Sequence, residues 1–172
     1  MGSDLPRFFS YLGDHLADNG QHGSPLFQPQ SRSETDIARD KQTRFAKELT
    51  TPLFELGWRR AWLAVNNKND IVGHVDLRSH PFPHTQHRAL LGMGVHRVYR
   101  RQGIGEKLFK HIEKWAHKNN IAWIDLQVLE DNYPAVMLYQ RLGFSTTGKT
   151  VDFFRIDERS ECQVQMSKQV TH

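Results

Sequence analysis

The sequence predicts an α/β domain built on a mixed β-sheet with helices on its faces. From Trp58 onward, short runs of alternating or continuous apolar residues recur as strands. One long and one short helix-periodic segment interrupt them, so the order is strands, helix, strand, helix, strands. The 172 residues fit one domain and suffice for a proper core; hydrophobic residues at 38% and charged residues at 24% are ordinary globular values. No internal repeat or linker divides the chain.

In chain order, Arg7 to Leu16 reads as a short helix, broken by Asn19-Gly20 and Gly23-Ser24-Pro25. A helix from Glu34 to Leu49 follows, with Ser33 as N-cap, Glu34 and Asp36 in its first turn and Pro52 beyond its end. Ala61 to Val65 and Ile71 to Leu77 form strands around the polar hairpin loop Asn66 to Asp70. Ser79 to His87, rich in His and Pro, is an exposed loop before a third strand, Leu90 to Val95. Gly103 to Asn119 is the clearest helix: Ile104, Leu108, Ile112, Trp115 and Ala116 recur at helical spacing, and Phe109 widens the stripe. Ile121 to Leu129 is a strand, Pro134 to Leu142 a short helix stopped by Gly143. Ser145 to Ile156 and Cys162 to Met166 close the chain as a hairpin across Asp157 to Ser160. Trp58, Trp62 and Trp123 are read as core or half-buried aromatics.

Composition excludes several classes. No apolar run is long enough to span a bilayer, and Met1 to Phe9 lacks the basic flank and apolar stretch of a signal peptide. The lone Cys162 permits no intrachain disulfide, which suits a reducing cytoplasm, and its alternating neighbours make it a small core residue rather than a nucleophile. The net charge of +4 concentrates at Arg97, Arg100 and Arg101, directly before a Gly-rich turn. Such a compact cluster points to a phosphate site rather than to a diffuse nucleic-acid face. His80, His84 and His87 lie close together, but Pro81 and Pro83 oppose a helical presentation and no second cysteine exists for a mixed zinc site, so no metal is expected.

The chemistry concentrates in the segment from Leu91 to Gly105, which runs strand, basic turn, glycine pair, helix. Gly103 and Gly105 let backbone amides approach a ligand, and the following helix directs its unpaired N–H groups and positive dipole end at the same point. That corner suits phosphate. A dinucleotide fingerprint would need glycine where Leu108 stands, and a P-loop would need Lys where Glu106 stands, so neither fits.

Arg100-Arg101-Gln102-Gly103-Ile104-Gly105, after a strand ending in Gly94-Val95, resembles the signature of the GNAT acetyltransferase family. The amphipathic helix, the strand leading to Asn132, and Ala135 to Phe144 match the family in order and spacing, and the similarity covers about Trp62 to Met166. The resemblance implies a single acetyltransferase domain over residues 1–172. Its core, 61–166, would have a splayed sheet that takes up the pantetheine arm, and 1–60 would shape the acceptor side. Met93, Gly94 and Val95 would offer backbone groups to the pantetheine and thioester, Arg100, Arg101, Gln102, Gly103, Ile104 and Gly105 would hold the pyrophosphate, and Asn132 would contact the pantetheine. Tyr139 would serve as general acid toward the departing thiolate. The implied partners are acetyl-CoA as co-substrate and an amine acceptor, small molecule or protein N-terminus. A homodimer is possible; neither nucleic acid nor membrane is implied.

The match fails at one point. Many relatives place a glutamate base on the strand where this chain has Ala89-Leu90-Leu91. On the preceding strand His74, Asp76 and Arg78 share a face, opposite Val75 and Leu77. They either line the acceptor side, with His74 or Asp76 near the thioester, or decorate a solvated surface. The missing glutamate also keeps open a degenerate acyl-CoA-binding module without catalysis.

Overall fold

The structure, a computed structural model, describes residues 4–34 and 37–170. Helices α1 (Leu5–Leu16) and α2 (Arg39–Thr50) precede strands β1 (Arg59–Val65), β2 (Ile71–Arg78) and β3 (Arg88–Val95). A 3₁₀ turn, Arg97–Tyr99, leads into α3 (Ile104–Lys118), then β4 (Trp123–Leu129), α4 (Tyr133–Arg141), β5 (Ser145–Ile156) and β6 (Arg159–Gln169). The six strands make one sheet in the order β1-β2-β3-β4-β6-β5, antiparallel except between β3 and β4. The expected mixed α/β architecture is thus present, and most strands run a residue or more longer than periodicity suggests because their ends are held by pairing.

Alternation along the strands sorts the two faces. Val75, Leu77, Ala89, Leu91, Ile124, Leu126 and Met166 form the core with Leu108, Phe109, Ile112 and Ala116 of α3. Trp58 is fully buried against Trp115, and Trp62 packs edge-on against the same ring. On the opposite face Phe8, Tyr11 and His15, one stripe of α1, cover β2 and β3. Phe45 of α2 meets Phe8 and lies under the guanidinium of Arg59.

Two expectations need correction. The second helix starts at Arg39, not Glu34: Asp157 at the β5–β6 turn accepts hydrogen bonds from the Ser31 hydroxyl and the Arg32 amide, and Ser33 bonds back to Ser31 instead of capping a helix. Asp36 lies outside the described residues. Cys162 is half-buried rather than in the core, although its neighbours Glu161, Gln163 and Val164 on β6 are buried.

Strands β3 and β4 pair through Arg88, Ala89 and Leu90 against Trp123, Ile124 and Asp125. Buried Asp125 joins the two sides there: Arg88 approaches it with two nitrogens at 2.7 and 2.5 Å, His80 Nε2 lies at 2.8 Å, and Ser167 donates at 2.6 Å from β6. Burial alone would raise its pKa, but these partners hold the carboxyl well below the usual carboxylate range. Asp125→Ala would strand Arg88 and His80. It should lower the unfolding free energy by about 3 kcal/mol, the low end for a broken buried pair, since Arg88 is 28% exposed. Ser167→Ala should cost only about 1 kcal/mol. Urea denaturation of both variants measures the difference.

Candidate active site

Beyond Leu90 and Asp125 the two central strands part. β3 keeps pairing with β2 as far as Gly73↔Val95, and β4 with β6 as far as Leu129↔Gln163, so each half-sheet stays closed while a notch opens between them. The amide of His96 donates to Val72 O at 2.9 Å, which fixes the ladder's phase. By the alternation of antiparallel pairing, Met93 and Val95 then direct their backbone groups away from β2, toward the notch.

At the open end of β3 the chain turns into α3. Gly103 caps the helix with φ of +76°, a left-handed conformation that suits glycine. Gly105 has no side chain to keep the helix off its neighbours: a Cβ there would meet Leu138 at 3.2 Å and Met93 and Val95 at 3.8 Å. The start of α3 is thereby packed onto the notch. None of the N–H groups from Arg101 to Glu106 donates a hydrogen bond among the described residues. Gln102 is exposed, its side chain donating to Val98 O. The arginines divide. Arg97 pairs with Asp14 and with Asp18, which is 2% exposed; Arg100 donates to Val95 O and Ser24 and lies 3.7 Å from Asp18. Arg101, exposed and at φ +60°, makes no ion pair among the described residues.

His74, Asp76 and Arg78 share one face, as the sequence suggests, and β2 brings them opposite Gly94, Gly92 and Leu90. That face is covered, not solvated. Asp76 is buried and bonds Arg59 at 2.6 Å and Arg78 at 3.2 Å, while Arg59 also holds Glu48 of α2. A side chain at Gly94 would collide with His15 Nε2 and His74 Cε1, each 2.6 Å from where its Cβ would lie. Burial, then the charge of Arg59, pushes His74 down to about 4. Burial, then His74 and Arg100, pushes His15 down to about 3.

Across the notch, α4 ends in a Schellman arrangement: Gly143 N–H bonds Gln140 O and Phe144 N–H bonds Tyr139 O, both at 3.0 Å. Its hydrophobic contact is the Tyr139–Phe144 pair, with ring centroids 5.6 Å apart. The helix end thus fixes the Tyr139 ring. Its hydroxyl makes no hydrogen bond among the described residues, and burial, reinforced by the charge of Asp76, pushes the phenol up to about 12. Asn132 caps α4 at the end of β4; its side chain is buried to 8% exposure and makes no bond to the helix it caps.

Residues 29–144, well over half of the chain, match the profile of the acetyltransferase (GNAT) family. The chain belongs to the GNAT acetyltransferase family. It is 35% identical over 95 residues to a probable N-acetyltransferase 14 of Xenopus tropicalis, covering 55% of this chain and 45% of that one. It is 30% identical over 80 residues to the L-amino acid N-acetyltransferase AaaT of Escherichia coli K12, covering 46% and 49%. The matched part therefore spans about half the length of these curated relatives. A crystal structure from Streptococcus mutans UA159 superposes over 99% of this chain and 96% of its own, with a TM-score of 0.77 at 22% identity, and so shares the fold. GNAT enzymes bind acetyl-CoA and an acceptor. Among the described residues no helix is long and apolar enough to cross a membrane, and no group of three or more His, Cys, Asp or Glu could hold a metal.

The sequence reading missed Tyr11 and His15 as wall residues and Asp14 and Asp18 as arginine partners. The stripe Phe8, Tyr11, His15 at helical spacing carried a signal for a buried face, but nothing local showed which strand it covers. Both imidazoles titrate near 6.5 when unfolded and much lower when folded. Their contribution is complete above pH ~6.5 and is lost as pH falls toward ~4, where the unfolded chain binds protons that the folded one refuses. The melting temperature should drop between neutral pH and about pH 4.5, and His15→Leu should reduce that drop, as read by scanning calorimetry.

Proposed function

We propose that this chain is an N-acetyltransferase that moves the acetyl group of acetyl-CoA to a primary amine by direct attack, without metal. The observation that carries this reading is the notch itself: strand groups of Met93 and Val95 turned away from β2, six amides from Arg101 to Glu106 at its mouth that donate to nothing among the described residues, and beside it the Tyr139 hydroxyl, likewise without a hydrogen bond among them. In this reading residues 1–172 act as one domain, with 1–60 on the acceptor side and 61–166 holding the cofactor. The amides of Gly103, Ile104 and Gly105 take the pyrophosphate at the helix N-terminus, helped by Gln102 and the charge of Arg101. Arg100, tied to Val95 O and Ser24, shapes that turn and adds field. Met93, Gly94 and Val95 bind the pantetheine and thioester, and Asn132 offers its side-chain amide to the pantetheine.

Attack by the amine places charge first on the thioester oxygen, which strand N–H groups can stabilise, and then on the departing sulfur. Tyr139, neutral at physiological pH, supplies the proton that the thiolate needs. On the acceptor side Asp76 is committed to Arg59 and Arg78, which leaves the amine's proton to His74 or to water. Leu90, in place of a carboxylate, is the one observation that favours a binding module without turnover; release of free thiol with a panel of amines separates the two. Amino acids head that panel, given the name of the E. coli relative.

Gly103→Glu puts a negative charge where the pyrophosphate belongs and should abolish acetyl-CoA binding measured by calorimetry. Gly103→Asn, which tolerates a positive φ, should retain much of it. Tyr139→Phe keeps the ring on Phe144 and removes one hydroxyl. Its kcat should fall by roughly 10² to 10⁴ while acetyl-CoA affinity stays level; steady-state kinetics beside calorimetry checks both.

A further inference from the structure

We propose that Tyr11 is a positioning residue: it fixes the tautomer of His74 so that His74 Nε2 carries the lone pair that receives the acceptor amine's proton. This rests on the reading of His74 as the proton acceptor on the amine side.

Two contacts determine the tautomer. The Tyr11 hydroxyl lies 3.1 Å from His74 Nδ1 and 3.4 Å from Gly94 O. Gly94 O can only accept, and the phenol has one proton. Both hydrogen bonds form at once in a single arrangement: the hydroxyl donates to Gly94 O, and His74 Nδ1–H donates to the hydroxyl oxygen. A neutral imidazole protonated at Nδ1 is unprotonated at Nε2. Nε2 makes no hydrogen bond among the described residues, and the carbon between the two nitrogens abuts β3 at Gly94, beside the notch.

The surroundings hold this arrangement. The Tyr11 ring stacks on Phe8 and His15 and meets His74 edge-on, with centroids 6.2, 5.9 and 5.5 Å away. Burial raises the phenol's pKa, so it stays a donor. Gly94 leaves no side chain to push the two imidazoles aside. In the reaction the amine nitrogen forms the new C–N bond, the C–S bond breaks, Nε2 takes the amine proton and the thiolate takes one from Tyr139. Exchange with solvent restores both groups, and the balance is amine plus thioester to amide plus thiol.

The test needs no acceptor. In protein labelled with ¹⁵N at its 10 histidines, the ring-nitrogen spectrum near neutral pH should contain a pattern with a protonated Nδ1 and an unprotonated Nε2 that disappears in His74→Gln. Tyr11→Phe keeps the stacking and removes the hydroxyl, and the His74 pattern should move to the Nε2–H form or to a mixture. A wild-type His74 protonated at Nε2, or a pattern unmoved by Tyr11→Phe, overturns the proposal. With an acceptor in hand, Tyr11→Phe should lower kcat by roughly tenfold or more, part of the ~10² to 10⁴ of an acid–base group, at unchanged acetyl-CoA affinity; an unchanged kcat where chemistry limits turnover overturns it too. Failure of the wild-type protein to turn over any amine would instead overturn the proposed function, a result distinct from the spectral one.

Discussion

The cluster around Asp125 decides the shape of the molecule. Two half-sheets, β1-β2-β3 and β4-β6-β5, meet through three residue pairs, and at that meeting point a buried carboxylate gathers Arg88 from one half, Ser167 from the other and His80 from the loop between β2 and β3. A parallel contact this short has few ladder bonds to hold its register. Charge-assisted bonds at the apex supply what the ladder lacks. Because the strands are pinned at one end only, they can diverge at the other, and the divergence frees the strand groups that make the notch a site. Arg88 also lies over the Trp123 ring at 4.8 Å, which keeps the guanidinium in place from its second face.

Elements set by local pattern were legible in the sequence, and those set by distant polar contacts were not. The stripe of α3, the alternation of β4 and the stop at Gly143 are each written within one or two turns of chain, and each appears where periodicity puts it. The start of α2 depends on Asp157, far along the chain, which holds Ser31 and Arg32 out of the helix. The same holds at the site. The density of arginine before the glycine pair could be read directly, but the carboxylates that claim Arg97 and Arg100 stand some eighty positions earlier, in a segment with no motif of its own.

The two walls of the notch differ in how they treat charge. On the Tyr139 side a phenol is kept neutral by burial in the main core. On the α1 side the carboxylate of Asp76 is matched by Arg59 and Arg78, and two imidazoles are kept neutral by desolvation. The groups nearest Gly94 are therefore uncharged near neutral pH although formal charges sit one layer behind them. A site of this kind changes protonation through the molecules that enter it more than through the solvent outside.

The paired carboxylates of α1 and its following turn have a consequence for how the chain can be rebuilt. Asp14 and Asp18 hold the residues that lead into the glycine pair, so the segment that covers the acceptor face also braces the strand-to-helix corner at the open end of β3. The two ends of the site are mechanically one piece. Exchanging the first thirty or so residues for those of another family member, as a way to graft a new acceptor preference, would unseat the corner unless the replacement brought acids at both places. Transplants bounded by the helix alone would fail for a reason that has nothing to do with the acceptor.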